Sequence, residues 1–211
     1  MEERFGSGPD PVRRTLLAMT TAAPLLALGA AARAQGVQGR PPAVPPTVAR
    51  HDGQNDFDFV IGDWKAHVRR LPDRLNGSTT WIEYEGTSSH QKLFGGPANL
   101  EEFKVESLDH SLKIHAQTLR LYNLESRLWS IYLVDAAQGT IGLPPVVGEF
   151  RDGVGEFYDQ EVYKGRSIFV RYQWFNISPL ACRMEQSFSA DGGRSWEVNW
   201  ISSQTRDKVI Q

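Results

Sequence analysis

Trp196-Glu197-Val198-Asn199-Trp200-Ile201-Ser202-Ser203-Gln204-Thr205-Arg206 is the stretch whose reading decides the fold. It is rich in β-branched and aromatic residues and has no helical period, so it reads as a strand. Trp196, Val198, Trp200, Ser202, Gln204 and Arg206 share one face, and Glu197, Asn199, Ile201, Ser203 and Thr205 share the other. Just before it, Asp191-Gly192-Gly193 supplies a turn. In the run before that turn, Cys182, Met184, Gln186 and Phe188 oppose Ala181, Arg183, Glu185 and Ser187. Two alternating runs joined by a short glycine turn form an antiparallel hairpin.

The same theme extends back to Phe57. The sequence predicts strands over 57–70, 80–94, 100–107, 113–122, 128–135, 146–150, 156–163, 167–175, 179–189 and 194–206. Asn76-Gly77, Gly95-Gly96-Pro97, Asp109-His110, residues 123–126, Asp152-Gly153 and Lys164-Gly165 separate them. These breaks leave no room for crossover helices, so neighbouring strands pair antiparallel. About ten such strands hide their edges most completely by closing on themselves. The expected fold is all-β: a single antiparallel up-and-down barrel of about ten strands. Long Greek-key connections, which a two-sheet sandwich needs, are not visible.

Composition limits the function. The 211 residues are 40% hydrophobic and 23% charged, and 23 basic against 25 acidic residues leave a net charge of −2. That balance is globular and lacks the basic field that nucleic acid requires, so no nucleic-acid partner is expected. Cys182 is the one cysteine. An intrachain disulfide is therefore impossible, and Cys182 reads as a buried, inert thiol.

The first 34 residues read as an export address. Arg13-Arg14 precedes Thr15-Leu16-Leu17-Ala18-Met19, an apolar run through Leu28 follows, and Ala32-Arg33-Ala34 forms a small-residue cleavage site. The arginine pair resembles the twin-arginine export signal, with Val12 where that signal has Ser or Thr; the ordinary secretory route is the alternative. Cleavage leaves a chain starting at Gln35, with no membrane span and a periplasmic or secreted location. Residues 35–54, with Pro41, Pro42, Pro45 and Pro46, read as an extended flexible linker, and 55–211 as the barrel domain.

Phe57-Asp58-Phe59-Val60-Ile61-Gly62-Asp63-Trp64 opens the first strand. Gly62-x-Trp64 resembles the signature of the lipocalin and fatty-acid-binding superfamily, the calycins. That resemblance implies a barrel in which an Arg near the end of the last strand packs across the Trp ring, here Arg206 on Trp64. Leu119-Arg120-Leu121-Tyr122-Asn123, Leu128-Trp129-Ser130-Ile131-Tyr132 and Asp191-Gly192-Gly193-x-x-Trp196 add a narrower likeness. Together with residues 57–64 they resemble the uncharacterised bacterial family catalogued as domain of unknown function 1579. It implies a barrel and an exported bacterial context, and brings no catalytic residues. Ser189-x-Asp191-x-Gly193-x-x-Trp196 also resembles the Asp-box hairpin of sialidase propellers. A single copy reads as a well-made turn rather than as sugar chemistry.

Candidate chemistry follows from the strands. His51, His67, His90, His110 and His115 form no H-x-H or H-x-x-x-H pair, so no metal site is signalled. With Trp64 inward, His67 faces out, and His90 shares a face with Tyr84 and Ser88. No cofactor is called for; haem is a secondary alternative, with His90 or His115 as axial ligand. Glu83, Glu85, Glu101 and Glu102, and Glu156, Asp159 and Glu161, read as surface charge on strands rather than as acid–base pairs. No nucleophile elbow or phosphate loop is present, so no catalytic residue is assigned.

A barrel of this size leaves room for a ligand among apolar walls with a few polar anchors. His90, Arg120, Tyr122, Tyr132, Arg171, Trp174, Gln186 and Trp200 are the candidate ligand-binding residues. The expected function is binding of a small amphipathic or aromatic molecule inside the barrel. The alternatives are a barrel hydrolase, isomerase or lyase, and a structural or interaction module of the cell envelope.

Overall fold

The computed structural model describes residues 52–135 and 138–207; the export signal and nearly all of the linker expected from the sequence lie outside them. Eleven strands follow one another: β1 Gly62–Arg70, β2 Ile82–Leu93, β3 Ala98–Ser107, β4 Lys113–Asn123, β5 Leu128–Asp135, β6 Thr140–Ile141, β7 Val146–Arg151, β8 Val154–Tyr163, β9 Arg166–Phe175, β10 Ala181–Ser189 and β11 Glu197–Thr205. Each pairs antiparallel with its chain neighbour, β7 pairs back to β5, and β6 is a two-residue appendage on the end of β5. β11 pairs with β1, from Lys65 opposite Thr205 to Arg70 opposite Trp200, and closes a ring of ten strands. The fold is a calycin-like barrel. Residues 57–61 are not part of the first strand, because Asp58–Val60 forms one turn of 3-10 helix instead.

Closure depends on local residues. Asp152-Gly153 and Lys164-Gly165 form two-residue turns with positive φ at both positions, the geometry that matches strand twist in tight hairpins. Gly86 and Gly148 let adjacent strands approach closely. A Cβ on Gly86 would lie 2.0 Å from the Lys104 carbonyl oxygen, and one on Gly148 1.9 Å from that of Glu156.

The interior is built by alternation. Trp64, Ala66 and Val68 of β1 face in, as do Ile168, Val170, Tyr172 and Trp174 of β9. The chain enters at one end, the floor, where Phe57 plugs the barrel. Its ring meets Trp129, Phe150 and Trp174 edge-on at centroid distances of 5.1, 4.9 and 5.3 Å. Tyr122 and Trp129 pin the entering chain: the Gly53 amide donates to the Tyr122 hydroxyl at 3.0 Å, and Trp129 Nε1 donates to the Gly53 carbonyl at 2.8 Å. At the far, upper end a second apolar cluster gathers Ala66, Val68, Tyr84, Phe103, Val105, Ile114 and Trp200.

A charged network at the barrel floor

Between the floor plug and the upper cluster lies a buried polar network from three strands, β2, β3 and β4. Register places His90 of β2 opposite Glu101 of β3, and Asn99 of β3 opposite Arg120 of β4. Arg120 Nη2 donates to Glu101 Oε2 at 2.5 Å. Its Nη1 donates to Asn99 Oδ1 at 3.0 Å and lies 3.3 Å from His90 Nδ1. The Ser88 hydroxyl donates to Glu101 Oε1 at 2.7 Å and lies 2.8 Å from His90 Nε2. The Arg120 guanidinium carbon sits 5.2 Å from the Phe57 ring centroid and 5.7 Å from that of Trp174. Arg120 is 3% exposed and Glu101 6%, so the pair is shielded from water.

The electrostatics set the protonation states. Burial alone would raise the Glu101 carboxyl; Arg120, then His90 and the Ser88 hydroxyl, outweigh it and hold its pKa at about 2. Burial pushes His90 down to about 4; Glu101 opposes that shift and Arg120 reinforces it. His90 is therefore neutral at pH 7. A guanidinium only donates, so His90 Nδ1 accepts from Arg120 and the ring proton sits on Nε2. Nε2–H then points to Ser88, and Ser88 points its proton to Glu101. This direction is the reverse of a serine nucleophile activated by histidine.

One donor of Arg120 has no acceptor. Its Nε is buried and unpartnered, although both terminal nitrogens are engaged. Cys182 is 5% exposed, and its Sγ lies 3.8 Å from Gln204 Oε1. Burial, then the Glu101 charge, pushes its thiol pKa up to about 12.

The eight residues singled out from the sequence separate. His90, Arg120 and Trp174 meet in the network. Tyr122 is buried at the floor, where its hydroxyl holds Gly53 and Asp52. Trp200 joins the upper cluster, and Gln186 lies opposite both Tyr172 and Trp200. Two do not belong to the interior. Tyr132 lies on the face of β5 opposite the buried Trp129 and Ile131. Arg171 lies between the inward Val170 and Tyr172, and packs on the outside with its guanidinium carbon 4.5 Å from the Trp196 ring centroid.

The sequence places Ser88 on the face of His90 but does not reveal Glu101 or Asn99 as members of the network. Glu101, which the sequence suggests is surface charge beside Glu102, has the parity of Phe103 and Val105 and is buried with them. That parity was the available signal. Trp64 stands at the closure of the ring. Arg206 places its guanidinium carbon 4.0 Å from the Trp64 ring centroid, and Trp64 Nε1 donates to the Val60 carbonyl at 2.6 Å. The Asp-box turn is tied by the Asp191 carboxylate, which accepts from the Ser195 amide at 2.9 Å and the Ser195 hydroxyl at 2.6 Å.

Both ring nitrogens of His90 are engaged, and His115 lies exposed on the outer face beside Glu102. Among the described residues, no group of three or more His, Cys, Asp or Glu is placed to hold a metal ion, and no helix is long and apolar enough to cross a membrane.

No family model and no curated protein matches the chain. Solved structures do. The S-type phycobiliprotein lyase CPES from Guillardia theta matches at a TM-score of 0.50 and 16% identity, over 76% of this chain and 96% of that one. Rv2717c from M. tuberculosis matches at a TM-score of 0.47 and 10% identity, over 75% of this chain and 99% of that one. Identity this low speaks for the fold alone.

Proposed function

We propose that the barrel binds a small amphipathic or aromatic molecule in its interior, with Arg120 as the polar anchor. The observation that carries this reading is the unpartnered Nε of Arg120. A donor on a buried cation, flanked by Phe57 and Trp174, matches an acidic or carbonyl oxygen attached to an apolar body. The shared fold of a phycobiliprotein lyase supports a barrel that handles a small molecule. Catalysis is the weaker reading, because His90 is neutral with its proton directed at Ser88 and Glu101 is held by Arg120.

We further propose, from the motifs quoted above and the signal-like N-terminus, that the chain is an exported bacterial protein akin to the uncharacterised family. Sequencing the N-terminus of the protein recovered from a periplasmic fraction tests it, with Gln35 as the expected first residue.

Binding is tested with anilinonaphthalene sulfonate, an aromatic anion of the proposed class. The folded protein should enhance its fluorescence saturably at one site. Arg120→Lys, which keeps the charge and removes the Nε donor, should weaken binding about tenfold. Absence of saturable binding by the folded protein would overturn the reading, as would full affinity in Arg120→Lys.

A further inference from the structure

The upper cluster holds two polar groups that nothing in the protein satisfies. Tyr84 of β2 and Ser202 of β11 both lie opposite Val68 of β1, one on each side, and share its inward face. Tyr84 is 0% exposed and Ser202 3%, and both the Tyr84 Oη and the Ser202 Oγ lack a hydrogen-bond partner. Two strand spacings separate them, about 10 Å between Cα atoms, and neither hydroxyl turns to the other. Around them are Phe103, Val105, Ile114 and Trp200. Buried hydroxyls in an apolar setting are ordinarily paired, so two orphans on one rung point to a partner that enters from outside the chain.

Their level in the barrel gives the spacing. The Val68 rung stands four residues up β1 from the Trp64 rung, where Ser88 of the charged network lies; that is roughly 13 Å. The rung between them pairs Ala66 with Gly86 on one side and with Gln204 on the other, and the register runs on from Gly86 to Val105 and Ile114. On β1 and β2 this part of the wall carries only Ala66 and Gly86.

We propose that Tyr84 and Ser202 form a second polar subsite, for a hydroxyl or keto oxygen carried partway along the bound molecule. The proposal rests on the reading that an acidic head sits at Arg120. It narrows the ligand class to elongated amphipathic acids bearing an oxygen function partway along the chain. A hydroxyl both donates and accepts, as Tyr84 and Ser202 do, so one such oxygen satisfies either or both.

The test compares a long-chain fatty acid carrying a mid-chain hydroxyl with its unsubstituted parent. Each is titrated against the folded protein by displacement of anilinonaphthalene sulfonate and by calorimetry. The hydroxylated acid should bind about tenfold more tightly than the parent. Tyr84→Phe and Ser202→Ala, which keep shape and remove only oxygen, should together erase that preference and leave affinity for the parent unchanged. Equal affinity of the two acids in the unmodified protein would overturn this subsite and leave the Arg120 reading standing. Failure of both acids to bind would remove the Arg120 reading, and this inference with it. A preference that survives in the double variant would place the oxygen elsewhere.

Discussion

Arg206, just beyond β11, lies over Trp64 at the start of β1 with its guanidinium carbon 4.0 Å from the ring centroid. Its three nitrogens also cap carbonyls that the closing strands leave open. Nε donates to Pro179 at 2.8 Å, Nη1 to Ile61 at 2.7 Å and Nη2 to Phe59 at 3.2 Å. One side chain thus ties the entering turn and the β9–β10 connection to the indole. Arg206→Ala should cost about 2 kcal/mol, from the cation–π contact and charge-assisted hydrogen bonds. Urea unfolding should show this, and thermal unfolding should fall by about 5 °C. Arg206→Lys should recover little, because an ammonium cannot reach three separated carbonyls. A lysine variant as stable as the parent would refute this account.

Glu101 and Arg120 should behave as a buried pair. Glu101→Gln leaves the guanidinium without its counter-charge and should cost about 3 kcal/mol or more. Replacing both, Glu101→Leu with Arg120→Met, should cost less than the sum of the two single changes. Denaturant melts of all three variants form the double-mutant cycle, and simple additivity would contradict the pairing.

Acid should unfold the protein in two stages. The folded His90 value of about 4 lies below its ordinary 6.5, so the folded state takes up fewer protons between those values. Its contribution is complete above pH 6.5 and declines as pH falls toward 4, by roughly 3 kcal/mol in total. Glu101 is also depressed, from 4.5 to about 2, and its contribution is lost between those values. His90→Gln should flatten the upper segment and leave the lower one. Parent stability that stays level from pH 7 to 4 would refute the assignment.

Gly86→Ala should destabilise the barrel by about 3 kcal/mol, because the new methyl meets the backbone of Lys104, which cannot move without parting β2 from β3. Gly142→Ala is the control. Its Cβ would meet the Leu133 carbonyl oxygen at 3.5 Å, an ordinary contact, and the change should fall within about 0.5 kcal/mol of neutral. Comparable losses at both positions would show that crowding is not the cause.

Arg171→Ala and Tyr132→Ala should leave anilinonaphthalene sulfonate binding unchanged, since both residues lie on the outer face. The same changes at interior positions would alter it. Loss of binding in Arg171→Ala without loss of stability would move the site to the outside of the barrel.

The sequence by itself determined the ten strands of the ring, their antiparallel neighbour order and most strand boundaries, though not the two-residue β6, because alternation and turn chemistry act over a few residues. In β1 and β2 the same alternation placed His90 beside Tyr84 and Ser88 on one face and left His67 on the other. In β3 the adjacent acids Glu101 and Glu102 concealed that one of them points into the barrel. The sequence leaves the faces of β5 and β9 equally undecided, and Tyr132 and Arg171, candidates for the interior by residue type, lie on the outer face. Only the tertiary structure decided which parity is inward at each strand, because that depends on how ten strands close and where a bulge such as the one at Gln186–Ser187 resets the count. It also decided the pairing of Arg120 with Glu101 and the two unsatisfied hydroxyls beside Val68. Those relationships join residues from different strands at one height in the barrel, and no local pattern in the chain encodes height.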